Sequence, residues 1–319
     1  MFWVLLCLNL SLPKMNDLGE IGEDALIKRL IDQLDSCNTT HGDLVVGPGD
    51  DCAVADLGLE DRYQLLKTDA MVEGIHYLAE TAADKVGWKA IARVISDFAA
   101  MGGLPAHLLV TIAMPAAKPV QYLEKLYQGM QQCASAYGAV ICGGETSALP
   151  HGGAAVISVA GTGWVEKSRC VTRSGGRAQD LILVTGKLGG SIRGKHLTFT
   201  PRIEEARWLT QKFQIHSMMD LSDGLGIDLV RLASASQCGY MIDEMALPLN
   251  DTCSVSQALG DGEDYELLFS ASAETVNQLM PAWTKQYPDL LLSVVGELYE
   301  DEKIASPVME GWEHFKSNA

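Results

Sequence analysis

Acidic side chains recur along this chain between apolar segments, where several of them could share one cleft. The acids that stand out are Asp50, Asp51, Asp69, Asp97, Glu145, Asp220, Asp223 and Glu263. We expect Asp50, Asp51 and Asp69 in loops, because each lies between apolar runs that are typical of strands. Hard divalent cations such as Mg²⁺ take oxygen ligands, often a few carboxylates together with phosphate oxygens of a substrate. The pattern predicts a metal-assisted site, and a solvated turn is the alternative for any single acid.

A glycine-rich segment, TGKLGGSIRGKH at 185–196, is the other candidate for phosphate chemistry. Residues 189–195 fit the phosphate-loop pattern G-x-x-x-x-G-K, but His196 stands where a Ser or Thr would hold Mg²⁺. We therefore interpret the segment as a glycine turn between a strand and a helix, and we assign no phosphate to Lys195.

Two Ser-Asp pairs give the halves of the chain a weak similarity to each other. They lie in VISDFAAMG (94–102) and DLSDGLGIDL (220–229). Ser and Asp are frequent helix caps, so capping is one explanation for each pair. Presentation of Asp97 and Asp223 to a shared site is the other.

The charge balance excludes polyanion-binding classes. The 24 Lys and Arg residues face 41 Asp and Glu, for a net charge of −17, so a basic surface for nucleic acid or an anionic membrane is missing. A small anion such as a nucleotide is compatible with this charge, because fields from distant surface groups are screened over about 8 Å. We expect neither nucleic acid nor membrane as a partner.

Cysteine spacing and the amino terminus both indicate a cytoplasmic protein. The eight Cys residues form no C-x-x-C pair, which favours free thiols in a reducing compartment over a zinc site or a disulfide framework. The opening MFWVLLCLNLSLPKM lacks the basic segment and the cleavage site of a signal peptide. We expect Met15 to be the true start and residues 1–14 to be a non-native or disordered extension. Elsewhere the chain has no apolar run near the 18 residues of a membrane span.

The elements that must position the acids alternate between strand and helix. The patterns predict helices near 19–35, 84–101 and 121–138, and strands near 44–46, 52–56, 63–68, 108–115, 139–144 and 154–165. The polar, Gly-rich segment 166–180 indicates a domain junction. A second series of strands and helices runs from 181–186 to 291–298. Mixed α/β structure in both halves, of α+β type, favours a two-domain enzyme over a single barrel.

Seven motifs occur in a fixed order: GDDCAV, KTDAMVEGIHY, ISDFAAMGGLP, GGET, TRSGG, MDLSDGLGIDL and GDGEDYELLF. In this order the chain resembles the thiamine-monophosphate kinase family, part of the aminoimidazole ribonucleotide synthetase superfamily, over about residues 19–315. The resemblance implies ATP-dependent phosphorylation of thiamine monophosphate to thiamine diphosphate by direct in-line transfer with several Mg²⁺ ions. It also implies a homodimer, an ATP- and metal-binding and dimerisation domain at 15–166, and an α/β domain at 167–319 that completes the active site.

The resemblance assigns roles residue by residue. It implies the metal ligands Asp51, Thr68, Asp69, Asp97, Glu145, Asp220 and Asp223, of which Asp97 and Asp223 are also catalytic. It implies ATP contacts at Gly144, Glu145, Arg173 and Ser222, and substrate contacts at His76, Glu263 and Trp312. A surface arginine, a structural histidine and a core tryptophan are the alternatives for Arg173, His76 and Trp312.

Two residues depart from the family pattern. Glu145 stands where the family usually has Asp, which lengthens a ligand. Lys67 stands where some members supply a small hydroxyl ligand, so we expect one metal to be lost or bound differently. The remaining carboxylates still provide what phosphoryl transfer chiefly needs, which is positioning and neutralisation of charge.

Two other functions fit part of the pattern. A sister synthetase of the selenophosphate or purine pathway would share the carboxylates but act on another acceptor, although the reactive Cys–Lys pair of the selenium enzyme is missing near the glycine-rich start. A catalytically idle protein that binds a nucleotide or thiamine phosphate is the second alternative. Turnover with ATP distinguishes the idle protein from a kinase.

Overall fold

The computed structural model describes residues 18–35 and 42–306. The predicted extension 1–14, the expected start Met15 and the predicted substrate contact Trp312 lie outside the described residues. By contacts, helices α1 (Leu18–Ile21) and α2 (Glu23–Asp35) belong to one compact unit and residues 42–306 to another. The sequence predicts one helix near 19–35, and Gly22, with φ of 77°, divides it into two.

The first sheet of the larger unit has six strands: β1 (Leu44–Val46), β2 (Ala53–Ala55), β3 (Arg62–Val72), β4 (Leu104–Pro115), β5 (Val140–Leu149) and β6 (Val156–Glu166). Their spatial order is β1-β2-β3-β6-β4-β5. β4 and β5 run parallel, and the other neighbours run antiparallel. The strands predicted for this half are confirmed, and β3, β4 and β5 extend further than predicted.

Two long helices, α3 (Ala83–Ala100) and α4 (Val120–Ala136), cross at a point where only glycine fits. A Cβ atom on Gly87 would lie 2.0 Å from the carbonyl oxygen of Leu126, and one on Gly129 would lie 1.9 Å from that of Asp84. Both distances are far below van der Waals contact with backbone that cannot give way. The two glycines therefore set the separation of the helices.

The second sheet also has six strands: β7 (Asp180–Thr185), β8 (Ser217–Asp220), β9 (Gly239–Ile242), β10 (Leu267–Ser272), β11 (Leu292–Tyr299) and β12 (Ala305–Ser306). The order is β12-β9-β11-β7-β10-β8, with parallel pairing only between β9 and β12 among these strands. Its helices are α5 (Ile203–Lys212), α6 (Leu225–Ala235), α7 (Val255–Gly260) and α8 (Ala273–Gln286). The α/β character predicted for both halves is confirmed.

Helix α3 lies between the two sheets, in contact with β3, β4 and β6 on one side and with β8 on the other. Phe98 of α3 and Phe269 of β10 belong to the same hydrophobic core, whereas Leu268 faces a second core under the opposite side of the second sheet. Alternate residues of β10 thus face different cores, as strand geometry requires. Polar residues further along α3, such as Ser96 and Asp97, are consequently placed in the protein interior, whereas Asp84 and Lys85 in its first turn are exposed.

The connection between the two sheets coincides with the polar segment predicted at 166–180. β6 ends at Glu166 and β7 begins at Asp180. The division into domains at 15–166 and 167–319 stays a prediction, because residues 42–306 form a single unit by contacts.

Candidate active site

Three buried carboxylates from distant parts of the chain meet in one cluster. Asp51 lies in the turn before β2, Asp97 near the end of α3 and Asp220 at the end of β8. One oxygen atom from each lies within 4.8 Å of the other two. The three residues are only 1%, 6% and 3% exposed. Carboxylates this close and this buried repel one another strongly unless a cation lies among them.

Each carboxylate of the cluster has a different partner. Lys67 Nζ donates to Asp97 Oδ1 at 2.7 Å, Arg173 Nη2 donates to Asp51 Oδ1, and Ser96 Oγ donates to Asp220 Oδ2 at 2.5 Å. These hydrogen bonds do not use all of the acceptor capacity of the carboxylate oxygens. Asp51 Oδ2 is buried and has no hydrogen-bond partner among the described residues.

The pKa directions reflect the same crowding. Burial, followed by the charge of Asp51, raises the pKa of Asp220 to about 7. Burial also raises the pKa of Asp97 well above its ordinary value, against the charge of Lys67. For Asp50, next to the cluster, burial and then the charge of Asp51 raise the pKa to about 6. A divalent cation would reverse these shifts, and the orphaned Asp51 oxygen within an all-oxygen donor set fits Mg²⁺.

A polar stripe on the buried helix α3 links the cluster to its surroundings. Lys89, Arg93 and Asp97 follow one another at intervals of four residues, so they share one helix face. Arg93 Nη2 donates to Asp69 Oδ1 at 3.0 Å, and its Nε lies 2.9 Å from Asp69 Oδ2. Sequence reasoning missed Lys89 and Arg93, although two cations at this spacing in an apolar helix are a usable signal.

Residues of β3 differ in the face of the sheet that they occupy. The expectation of a loop at Asp69 was wrong, because β3 extends to Val72. Asp69 pairs with Arg93, whereas the neighbouring Thr68 lines a groove of about 590 Å³ together with Leu66 and Leu109. Successive side chains of a strand point to opposite faces, so Thr68 lies across the sheet from Asp69.

The backbone of the second Ser-Asp pair is hydrogen-bonded to Asp228, which is not among the acids predicted for the site. Asp228 is fully buried, and its Oδ2 accepts from the backbone N–H groups of Ser222 and Asp223 at 2.9 and 3.0 Å. Asp223 pairs with Arg231. The cap explanation was wrong for both pairs, because Gly224 is the N-cap of α6 and Ser96 and Asp97 lie within α3. Asp228 fixes the loop that presents Ser222 and Asp223.

His76 and Glu263, predicted to bind substrate, are brought together by Lys89. The ammonium of Lys89 is bound by the Glu263 carboxylate and donates to the carbonyl oxygen of His76 at 2.7 Å. Nδ1 of His76 accepts from the backbone N–H of Val72 at 3.0 Å, in the turn that follows β3. The segment around Glu263 is conformationally strained, with φ of 57° at Glu263 and 50° at Tyr265.

Gly144 and Glu145 lie apart from the cluster within this chain. Both are on β5, where Glu145 is exposed and in register with Thr111 of β4. In the sheet order, two strands separate β5 from β3, which places Glu145 about 14 Å from β3 at the usual strand spacing. Glu145 is therefore a strand residue and not the turn residue considered as its alternative. A Cβ on Gly144 would lie 1.8 Å from the carbonyl oxygen of Val110, so packing alone requires glycine there.

Lys195 of the glycine-rich segment 185–196 binds an acid outside the carboxylate cluster. The segment follows β7 and forms two short 3₁₀ turns, Ser191–Arg193 and Lys195–Leu197. Lys195 Nζ donates to Glu266 Oε1 at 2.9 Å, and Arg202 binds both oxygens of the same buried carboxylate. The interpretation of this segment as a structural turn agrees with these contacts.

Comparison with known proteins identifies a family and several relatives to which this chain is similar. It matches the AIR synthase related protein, N-terminal domain, over residues 49–165 and the C-terminal domain of the same family over residues 149–308. The thiamine-monophosphate kinase of Rhodopirellula baltica is 35% identical over 248 residues, covering 72% of this chain and 77% of that protein. That of Aquifex aeolicus is 30% identical, covering 95% of this chain and 100% of that protein.

A solved structure supports the same grouping. AaThiL complexed with AMPPCP and TMP superposes with a TM-score of 0.78 at 29% identity, covering 95% of this chain and all of that chain.

Among the described helices, none is both long and apolar enough to cross a membrane.

Proposed function

This chain belongs to the thiamine-monophosphate kinase family of AIR synthase related proteins, and we propose that it phosphorylates thiamine monophosphate to thiamine diphosphate with ATP. The observation that carries the proposal is the buried meeting of Asp51, Asp97 and Asp220. A related protein with the same fold, AaThiL, binds AMPPCP and TMP together. Both substrates carry phosphate, so the site must overcome repulsion between two anionic phosphate groups.

Mg²⁺ ions are the expected neutralising groups. Asp51, Asp97 and Asp220 would hold them, with Asp69 and Asp223 at the flanks of the cluster. When bound, such ions would neutralise phosphate oxygens and orient donor and acceptor for in-line transfer.

The protein's own cations would position the phosphates. Arg173 holds Asp51, and its buried Nε has no hydrogen-bond partner among the described residues. A guanidinium has five donors in a rigid fork that suits phosphate oxygens, so Arg173 can bind a phosphate while keeping its carboxylate. Ser222 lies beside Asp223 in the loop held by Asp228, and we expect it to contact ATP.

The acceptor is expected on the side of the cluster where Lys89, Glu263 and His76 meet. The Glu263 carboxylate, fixed by a buried ammonium, provides a stationary negative charge for the cationic thiazolium ring. Trp312, outside the described residues, remains a predicted stacking partner for the same ligand.

A second copy of the chain would explain the position of Glu145. The face of the first sheet that contains Thr68 also exposes Leu66 and Leu109, and Val140 is exposed at the start of the edge strand β5. Large apolar side chains exposed on one sheet face are typical of a homodimer interface. We propose that Gly144 and Glu145 of one copy serve the cluster of the other.

The described cysteines are all free, which supports a cytoplasmic location.

The decisive test is incubation of the purified protein with ATP, Mg²⁺ and thiamine monophosphate. We expect thiamine diphosphate and ADP in equal amounts. Asp251→Asn, at a side chain 92% exposed, is a control that should match the parent protein. Binding of both substrates without product would identify an idle binding protein, and ATP consumption that ignores thiamine monophosphate would indicate a sister synthetase.

A further inference from the structure

Lys67 inserts an ammonium group into the carboxylate cluster. It lies on β3 two residues before Asp69, so both side chains point toward α3. Its Nζ lies 2.7 Å from Oδ1 of Asp97, and the two side chains are only 22% and 9% exposed. Asp97 is also the carboxylate whose oxygen lies within 4.8 Å of Asp51 and Asp220. The ammonium therefore lies where a bound cation would contact this carboxylate.

The other acids around the cluster show why this position matters. Asp69 is paired with Arg93, and Asp51 with Arg173, whereas Asp220 receives the neutral hydroxyl of Ser96. In the described part of the chain, the ion pair of Asp97 is with Lys67. Without that ammonium, Asp97 would be a buried charge facing two others of the same sign, an arrangement that draws in a metal ion.

We propose that the Lys67 ammonium fills one cation position of the cluster, so that this chain binds one divalent ion fewer than it would with a small hydroxyl residue at position 67. An ammonium is a compact positive charge with three donors, of which Asp97 takes one. It supplies one positive charge where a metal ion supplies two, and it cannot be removed by chelation. The inference rests on the proposed metal-assisted function, because it assigns the remaining positions to divalent ions.

Counting bound Mn²⁺ tests the inference directly. Free Mn²⁺ would be measured by electron paramagnetic resonance as the full-length protein is titrated with Mn²⁺ alone and then with AMPPCP present. We expect Lys67→Ser to bind one more Mn²⁺ per chain than the parent. Lys187→Met is the matched control, because it breaks a surface ion pair with Asp251, at side chains 50% and 92% exposed, and should leave the count unchanged. Equal counts and affinities for Lys67→Ser and the parent would overturn the inference.

Thermal unfolding provides a second readout, which still tests the inference if Lys67→Ser folds poorly. Lys67→Met keeps most of the side-chain length but removes the charge, so without divalent ions it should melt several degrees below the parent. Added Mg²⁺ should raise its melting temperature more than that of the parent or of Lys187→Met. Identical responses of Lys67→Met and the parent to Mg²⁺ would contradict the proposal.

Neither measurement uses thiamine monophosphate, so the two proposals can fail separately. A protein that gains one Mn²⁺ on Lys67→Ser but makes no thiamine diphosphate would disprove only the kinase assignment. A parent protein that makes thiamine diphosphate and has the same Mn²⁺ count as Lys67→Ser would disprove only the role of Lys67.

Discussion

The fully buried ammonium of Lys89 is bound by the carboxylate of Glu263, 174 residues further along the chain. It also donates to the carbonyl oxygen of His76 at 2.7 Å. Burial is the main reason why the pKa of Lys89 falls to about 8, and the charge of Glu263 opposes the fall. The pair thus connects α3 to the strained segment around Glu263 and to the turn of His76.

Breaking this pair should cost more than replacing both partners. Glu263→Gln leaves a buried ammonium without its counter-charge, and we expect a loss of about 3 kcal/mol in the free energy of unfolding. The double variant Lys89→Met with Glu263→Gln should recover part of that loss. Urea unfolding of the parent, both single variants and the double variant gives the coupling energy. Strictly additive losses would mean that the two side chains do not interact.

Metal removal should abolish turnover. Because three buried carboxylates converge without enough cations of their own, EDTA should stop formation of thiamine diphosphate, and excess Mg²⁺ should restore it. The measurement is product formation during stepwise chelation and re-addition. Full activity after complete chelation would exclude a metal-assisted mechanism.

Asp97→Asn should affect turnover far more than Lys195→Ala. The asparagine keeps the size of the side chain but removes a charge at the centre of the cluster, so we expect a fall in kcat of about two orders of magnitude or more. Lys195 binds Glu266, which keeps its bidentate Arg202, so Lys195→Ala should retain most activity. Steady-state kinetics of both variants decide the ranking. The opposite ranking would return the phosphate site to the glycine-rich segment.

Glu145→Gln should weaken the use of Mg²⁺ and ATP while leaving the fold intact, and Glu145→Asp should keep measurable turnover. Its carboxylate is exposed on β5, so neither change disturbs a core. Kinetics over a Mg²⁺ titration measure the effect. Unchanged metal dependence of Glu145→Gln would remove Glu145 from the set of ligands.

Mixed dimers then test whether Glu145 acts on the other copy. A purified dimer of one Asp97→Asn chain and one Glu145→Gln chain would contain one intact site if the sites are shared, with about half the parental activity. If each site uses a single chain, both sites carry a lesion and the mixed dimer should be nearly inactive.

The ion pair between Glu166 and Arg207 should make stability depend on acid pH. Arg207 donates to both oxygens of Glu166, at 2.5 and 2.8 Å, and mainly through these bonds lowers the pKa of Glu166 to about 2. A depressed carboxylate pKa stabilises the fold above the ordinary value of 4.5, and that contribution disappears as the pH falls from 4.5 to 2. Solvent screening limits it to about 1 kcal/mol.

The comparison with Glu166→Gln isolates the contribution of this ion pair to the free energy of unfolding. The difference in unfolding free energy between the parent and Glu166→Gln should shrink as the pH falls through this range. Urea unfolding at pH 6, 4 and 3 (about one unit apart near the transition) measures it. A difference that is independent of pH would show that the pair contributes nothing to stability.

Local pattern by itself determined the elements and the acids. Hydrophobic periodicity predicted a helix near 84–101, which is α3, and apolar runs predicted the strands of the first sheet. His196, which stands where the phosphate-loop motif needs Ser or Thr, was the reason to reject that motif. The predictions of helices and strands succeeded because hydrophobic periodicity acts over a few residues, within the reach of sequence reasoning.

Only the tertiary structure decided which groups meet. Ser96 and Asp220 are 124 residues apart, and their contact depends on α3 lying between the two sheets. The same packing buries Lys89, turns Lys67 onto Asp97 and leaves Glu145 on a distant edge strand. Sequence patterns report which face of an element is apolar, but not which other element covers it. The partners of a buried charge depend on that second choice, since in the interior a charge must find its counter-charge across the fold.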